Sequence, residues 1–170
     1  VDMEKSSLAL RSRKLFTLSA FYNACADLVN GMATGNLGED ADFARRFWEA
    51  VAERFPAWGQ AREGRIAASE IREGYIHSHG IALQALGLAG NTLLQLYPRD
   101  WRKRLEGLEK IDWSRSNARV WEGRAMVGGK VTKISTNIIL TANVIKQALA
   151  LPLDEEQQRV EAAHNRKNDR

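Results

Sequence analysis

Cations are the residues of this chain best placed to do chemistry, and they crowd into residues 98–146. That span holds eleven Lys or Arg and five Asp or Glu, a net charge of +6, whereas the whole chain carries +4. Trp101, Trp113 and Trp121 are interleaved with the cations. Cations displace the counterions condensed on a polyanion, and flat rings stack on sugar and base. The pattern predicts a nucleic-acid-binding surface; the alternative is a solvated charged face beside core tryptophans.

The candidate phosphate contacts fall into two groups. Three form a run in a predicted helix, where charge runs are usually only solvated, and five flank a polar loop and a predicted hairpin. The eight candidates are Arg102, Lys103, Arg104, Arg115, Arg119, Arg124, Lys130 and Lys133. Ser135, Thr136 and Asn137 add hydroxyls, an amide and backbone N–H groups at a predicted helix N-terminus, which is a ready anion site. Together these groups predict that this region binds DNA phosphates.

Acid–base and metal chemistry have weaker support. His77 and His79 lie near Glu70 and Glu73, but side chains two residues apart do not share a helix face. Only Glu73 and His77 have the spacing for a joint ligand pair, and a metal site needs three or four ligands. Gly128-Gly129-Lys130 lacks the Walker spacing. We therefore predict no catalytic residue, no metal and no cofactor, and a protein that is not an enzyme.

The elements that position these residues are mostly helical. A chain of 170 residues with 44% apolar and 27% charged residues is typical of one soluble domain. The pattern predicts a mainly α fold, a compact helical domain of about six helices with one small β-hairpin. We expect a flexible lead-in over 1–14, a single helical domain over 15–153 with the hairpin near 124–134, and a polar C-terminal helix and tail over 154–170.

Apolar spacing and stop signals set the expected helices. Residues 58–65 are expected to be a connector, and Gly128-Gly129-Lys130 the turn of the hairpin. Asp40, Ser135 and Asp154 are the expected caps. The helix after Ser135 is expected to be central and buried. The predicted helices cover 15–30, 42–55, 66–73, 75–96, a segment starting at Pro98, 136–150, and a polar segment after Asp154.

Cys25 is the single cysteine of the chain. It excludes an internal disulfide and a multi-cysteine zinc site. Its place in an apolar helical stripe predicts a core cysteine, and a reducing cytoplasm suits a free thiol.

Five segments resemble the C-terminal part of the DndB family of DNA sulfur-modification (phosphorothioation) proteins. They are RKLFTLSAFYNA at 13–24, IHSHG at 76–80, IDWSRSN at 111–117, WEGRAMV at 121–127 and NIILTANVIK at 137–146. The resemblance implies a cytoplasmic bacterial protein of a phosphorothioation gene cluster, a regulator that binds promoter DNA and restrains expression. The family's N-terminal region, with its Asp-Gly-Gln-His-Arg motif, has no counterpart in this sequence.

Two functions follow from the residues and the resemblance together. The first is a C-terminal, DNA-contacting fragment of a transcriptional regulator, whose partner is a promoter duplex and whose cations converge into one electropositive patch. The second is an oligomerisation or protein-docking domain, with DNA bound mainly by the missing N-terminal part. A second copy of the chain and other phosphorothioation-cluster proteins are further candidate partners, and a membrane is not.

Overall fold

The helical periodicity of the sequence produces a mainly α fold, as predicted. The computed structural model describes Val1 and residues 12–168. Two 3₁₀ helices span Ile76–Ser78 and Leu105–Lys110, and an antiparallel hairpin pairs β1 Met126–Val127 with β2 Lys130–Val131. Within the described residues, nine α-helices exceed the six or so expected: α1 Leu18–Val29, α2 Leu37–Glu53, α3 Pro56–Arg62, α4 Ala68–Gly74, α5 Gly80–Leu96, α6 Trp101–Arg104, α7 Ala118–Trp121, α8 Ser135–Ala148 and α9 Glu155–Asn168.

Close packing of α1 against α5 forms the centre of the fold. A Cβ built at Gly87 would lie 2.3 Å from the Ala24 carbonyl oxygen, so only glycine permits this approach. A Cβ at Gly80 would lie 3.2 Å from Ala20, near the start of both helices. Near their ends, the Asn91 side chain donates to the Leu28 carbonyl at 2.9 Å. The two helices therefore run parallel, with their N-termini at the same end.

The other large helices cover α5 on its remaining sides. Phe47 of α2 reaches Gly90, where an added Cβ would lie 2.3 Å from its ring. α8 packs along α5, and its Leu140, Ala142 and Ile145 are buried, so the prediction of a central helix is confirmed. In the described part of the chain, no helix is both long and apolar enough to cross a membrane.

Several element boundaries differ from the predictions because a different residue starts the helix. Asn36, not Asp40, caps α2: its Oδ1 accepts from the Gly38 N–H at 3.1 Å, and the helix starts at Leu37. Pro56 stands at the first position of α3, which occupies most of the expected connector. α6 starts at Trp101 rather than at Pro98.

The two caps expected in the C-terminal third had different outcomes. Ser135 is the first residue of α8, and Ile134 occupies the cap position without a side-chain acceptor, so the Ser135 cap was wrong. Asp154 caps α9 as predicted: its Oδ1 accepts from the Gln157 N–H at 2.9 Å, and Gln157 Oε1 accepts from the Asp154 N–H at 3.1 Å. Most of the expected lead-in, at 2–11, lies outside the described residues, as do 169 and 170 of the tail.

The α1–α5 contact yields a stability prediction. Gly87→Ala should lower the free energy of unfolding by about 1–3 kcal/mol, because the new methyl group meets backbone that must move. Gly59→Ala in α3 is the matched control: its Cβ meets nothing within 4 Å, so the better helix former should be neutral or stabilising. Urea denaturation measures both, and equal effects would contradict the close packing.

Candidate nucleic-acid interface

The hairpin has a turn of two glycines. Met126 pairs with Val131, and Val127 pairs with Lys130. Gly128 and Gly129 have φ angles of 59° and 72°, the left-handed conformation that a two-residue hairpin turn requires. The predicted hairpin is therefore present, but Lys130 is the first residue of β2 rather than part of the turn.

Charged side chains brace this turn from two directions. The Glu122 carboxylate accepts from the backbone N–H of Gly128 and, at 3.1 Å, from that of Gly129. Arg115 donates through Nη2 to the Gly129 carbonyl at 3.1 Å and through Nη1 to the Arg72 carbonyl at 3.3 Å. The hairpin is thus fixed to the segment that precedes α5, with Arg115 beside its turn.

The cations of this region lie at the N-terminal ends of helices. Arg115 and Lys133 line a cavity together with Thr17, the cap of α1, and Gly80, the first residue of α5. Lys133 also lines a second, smaller cavity with Ile138 from the first turns of α8. Helix N-termini carry partial positive charge. Arg115 and Lys133 therefore add to positive potential that the helices already supply.

The run of three cations lies elsewhere and has other partners. The Arg104 guanidinium lies 3.4 Å from the centroid of the Tyr97 ring, which directly follows α5. Arg102 lies 3.7 Å from Glu53 and 5.5 Å from the centroid of the Trp101 ring. Lys103 is exposed. Because α5 has 17 residues and spans about 25 Å, Arg104 and Lys133 lie near opposite ends of that helix.

The expected single electropositive patch is therefore not formed. Arg115, Lys130 and Lys133 are brought to the hairpin end, and Arg119 on α7 is exposed beside a cleft that Glu122 and Val127 also line. The α6 cations form a separate group.

Arg124 occupies an interior position. Its guanidinium donates to both Glu161 oxygens of α9, at 2.9 and 2.5 Å, and both side chains are only 13% exposed. Asn143 donates to the same carboxylate at 3.0 Å. Burial works to raise the pKa of Glu161, but the bonds from Arg124 and Asn143 hold it below its usual value. The guanidinium thus faces Glu161 rather than solvent, and we leave Arg124 out of the interface.

The tryptophans expected to stack on bases belong to the core. Trp113 and Trp121 are 7% and 0% exposed, and their rings stack at a centroid distance of 5.3 Å. Their indole N–H groups donate to the carbonyls of Leu108 and Asp112, at 3.0 and 2.9 Å. Trp101 is partly buried and packs against the core, with its ring centroid 5.9 Å from that of Phe47. The alternative of core tryptophans is therefore the right one.

The expected anion site at the start of α8 is only partly available. Asn137 is buried, and its amide donates to the carbonyls of Gly123, at 3.0 Å, and Arg124. This side chain clamps the base of the hairpin onto α8. Ser135 and Thr136 are exposed.

The two neighbouring histidines are neutral and largely buried. His77 accepts from the Trp58 indole N–H at 3.1 Å and stacks between Phe55 and Tyr75. His79 Nε2 lies 2.7 Å from the Arg72 carbonyl, to which it donates. Burial lowers the pKa of each histidine to about 4. Among the described residues, no group of His, Cys, Asp or Glu could hold a metal ion.

Arg72 is a basic residue near the hairpin that sequence reasoning missed. It lies on α4 and donates to the backbone carbonyls of Ser12, at 3.2 Å, and Lys14. The Ile76 N–H bonds to the Trp113 carbonyl at 2.9 Å, and the Arg115 N–H bonds to the Gly74 carbonyl at 2.9 Å. These long-range bonds bring Arg72 beside Arg115, and nothing in the local sequence signals them.

The comparisons with known proteins agree with the resemblance seen in the sequence. A family described as DndB, DNA-sulfur modification-associated, matches residues 1–152. The chain belongs to this family. Comparison with curated proteins and with solved structures gives no match. The family match ends before α9, so the Arg124–Glu161 pair joins the matched part of the chain to a helix beyond it.

The low pKa values of the histidines predict a stability that depends on pH. Neutral His77 and His79 persist in the folded state down to pH of about 4, whereas the unfolded chain binds protons below about 6.5. The free energy of unfolding should therefore fall as the pH drops from 6.5 to 5, by about 2 kcal/mol per histidine. Urea denaturation at both pH values tests this. In the His77→Gln variant, the decrease in the free energy of unfolding between the two pH values should be smaller by the contribution of His77. If the free energy of unfolding of that variant depended on pH as strongly as that of the unmodified chain, the burial of His77 would be contradicted.

The Arg124–Glu161 ion pair predicts that removing a single charge strongly lowers the free energy of unfolding. Glu161→Gln should lower the free energy of unfolding by about 3 kcal/mol, because it leaves the guanidinium enclosed without its counter-charge. Glu156→Gln, at an exposed position in the first turn of the same helix, should lower it by less than about 1 kcal/mol. Thermal denaturation of both variants separates them. Similar losses of stability in the two variants would show that the Arg124–Glu161 pair is solvated.

Proposed function

We propose that this chain is the DNA-contacting part of a transcriptional regulator associated with DNA phosphorothioation, a cytoplasmic protein that is not an enzyme. Four cations near the hairpin, Arg115, Arg119, Lys130 and Lys133, contact the DNA backbone. Membership of the DndB family supplies the biological context. The observation that carries the proposal is the position of Arg115 and Lys133 at the N-terminal ends of α1 and α5, with Lys133 also close to that of α8.

The electrostatics of this position favour an anionic partner. A cation beside a helix N-terminus is unfavourable for the folded protein, whereas an anion there is stabilising. Lys130 and Lys133 are exposed, and neither forms an ion pair with another of the residues at 12–168. Glu122, the nearest acid to the turn, is occupied by the two glycine N–H groups. A DNA phosphate would relieve the excess of positive charge.

The α6 cations are less suited to this role. Arg104 stacks on Tyr97, and Arg102 has Glu53 nearby, so both lie at positions where a folded protein is stabilised by positive charge. Lys103 remains exposed and is a secondary contact at most. We therefore assign the backbone contacts to the hairpin group.

The proposed contacts position the protein on DNA and do not distinguish sequences. Lysine meets phosphate as a point charge, and phosphate contacts carry no base information. Trp113 and Trp121 are enclosed, so neither indole ring is available for stacking on bases. Operator recognition then depends on parts of the regulator other than this surface.

Self-association is the second candidate function, and an apolar groove favours it. Phe21 and Cys25 of α1 and Trp48 of α2 line a groove of about 700 Å³. Tyr22 and Leu37 stand beside it, 71% and 85% exposed. A face with both a groove and protruding apolar side chains can pair with its own copy about a two-fold axis. Sedimentation of Leu37→Glu against the unmodified chain tests this function, which requires the variant to dissociate.

Salt-dependent DNA binding tests the first function. For a labelled duplex, Lys130→Ala/Lys133→Ala should lower the slope of log K against log salt by about two, because each lysine releases about one counterion. The loss of affinity should be the same for unrelated duplexes.

The matched control is Arg102→Ala/Lys103→Ala, which removes the same charge from α6. This double variant should change the slope by clearly less. An equal decrease in both double variants, or no decrease in the hairpin variant, would refute the assignment of the contacts to the hairpin.

A further inference from the structure

A second basic feature lies below the hairpin surface, in the cavity at the start of α1 and α5. This cavity has a volume of about 450 Å³. Thr17 and Ala20 of α1, Ser69 and Arg72 of α4, and Gly80 of α5 form its walls, and Arg115 and Lys133 approach from the hairpin side. Four separate segments of the chain therefore place charged or polar groups around one space.

The charge around the cavity is positive. Arg72, Arg115 and Lys133 line it, together with one carboxylate, that of Glu73. Glu73 interacts with Arg72, whereas Arg115 donates to two uncharged carbonyl oxygens. These four side chains leave a formal charge of +2 in a partly enclosed place, where electrostatic interactions are stronger than in water.

The polar groups that line the cavity differ in what they can offer a ligand. Ser78 donates to the Ile71 and Tyr75 carbonyls, and His79 donates to the Arg72 carbonyl, so their protons are used. Thr17 Oγ1 accepts the Ala20 N–H at 3.1 Å and retains its hydroxyl proton as a donor. The cap residue of α5 provides no side-chain acceptor for the first N–H groups of that helix. Thr17 and the first turn of α5 therefore offer donors to a ligand, whereas the Arg72 guanidinium already donates to the Ser12 and Lys14 carbonyls.

We infer that this cavity binds a phosphate-type oxyanion, held by Lys133, Arg115 and Arg72. The cavity is of the size that small-ligand sites occupy, and its cations match the chemistry of phosphate. The same group can come from the DNA backbone or from a small phosphate ester. The site does not depend on the proposed function, because a free anion can occupy it without DNA.

Inorganic phosphate is the probe for this site. Isothermal titration at constant ionic strength, with chloride as the reference anion, should give saturable binding to the unmodified chain. Lys133→Gln should weaken binding about tenfold to a hundredfold, the range for loss of one hydrogen bond to a charged group. Lys110→Gln is the matched control, since Lys110 is also exposed but does not line the cavity, and this variant should bind phosphate as tightly as the unmodified chain.

Circular dichroism of both variants verifies that they fold. Binding no tighter than that of chloride, or equal affinities of the two lysine variants, would overturn the inference.

A competition experiment identifies the source of the anion. Phosphorus NMR of bound phosphate is followed while an unlabelled duplex is added. Displacement by the duplex assigns the cavity to a backbone phosphate, and retention in the presence of bound duplex assigns it to a small phosphate ester. Either result supports an oxyanion site. Phosphate binding without any DNA binding would refute the proposed function and leave this inference standing.

Discussion

The close contact between Gly87 and the Ala24 carbonyl determines how the other elements of the fold are arranged. It brings α1 and α5 together at a distance that no side chain at residue 87 would allow. Because the two helices run parallel, their positive ends lie side by side, next to the segment that carries Arg72. α2 then fits Phe47 against Gly90. The cavity and the positive end of the molecule follow from this one packing arrangement.

At the hairpin end, stabilising hydrogen bonds hold cations in an electrostatically unfavourable position. Glu122 and Arg115 hold the Gly-Gly turn, and Asn137 ties its base to α8. These bonds fix the hairpin segment, and Lys133, which follows β2, lies where the positive helix ends repel it. At the other end of α5, Arg104 stacks on Tyr97 near the negative end of the helix and has a structural explanation. The contrast between the two ends, rather than the total charge, distinguishes a binding surface from an ordinary charged face.

The sequence predicted the features that local chemistry determines. Two adjacent glycines between strand-forming residues specified the hairpin, and Asp154 specified the start of α9. The family resemblance was also confirmed. Asn36 and Asp40 are both good cap residues, and the choice between them depends on Thr34, which donates to the Asp40 carboxylate instead. The local sequence pattern does not show which of two such residues caps the helix.

Contacts between residues far apart in the sequence determine the features that the sequence alone did not predict. Glu161 lies 37 residues after Arg124, and no local pattern reveals that they pair. The spacing of Trp113 and Trp121 does not reveal that their rings stack in the core. Likewise, the charge of residues 98–146 is localised in the sequence, but α5 separates the α6 cations from those at the hairpin. A charge count along the chain therefore overestimates the size of a basic surface.

Lysine footprinting on the protein–DNA complex tests whether the hairpin lysines contact DNA. The chain is acylated with and without a saturating duplex, and the modified lysines are quantified by mass spectrometry. We expect DNA to protect Lys130 and Lys133 from acylation while Lys103 on α6 stays reactive. Protection of Lys103 with continued reactivity of the two hairpin lysines would contradict it.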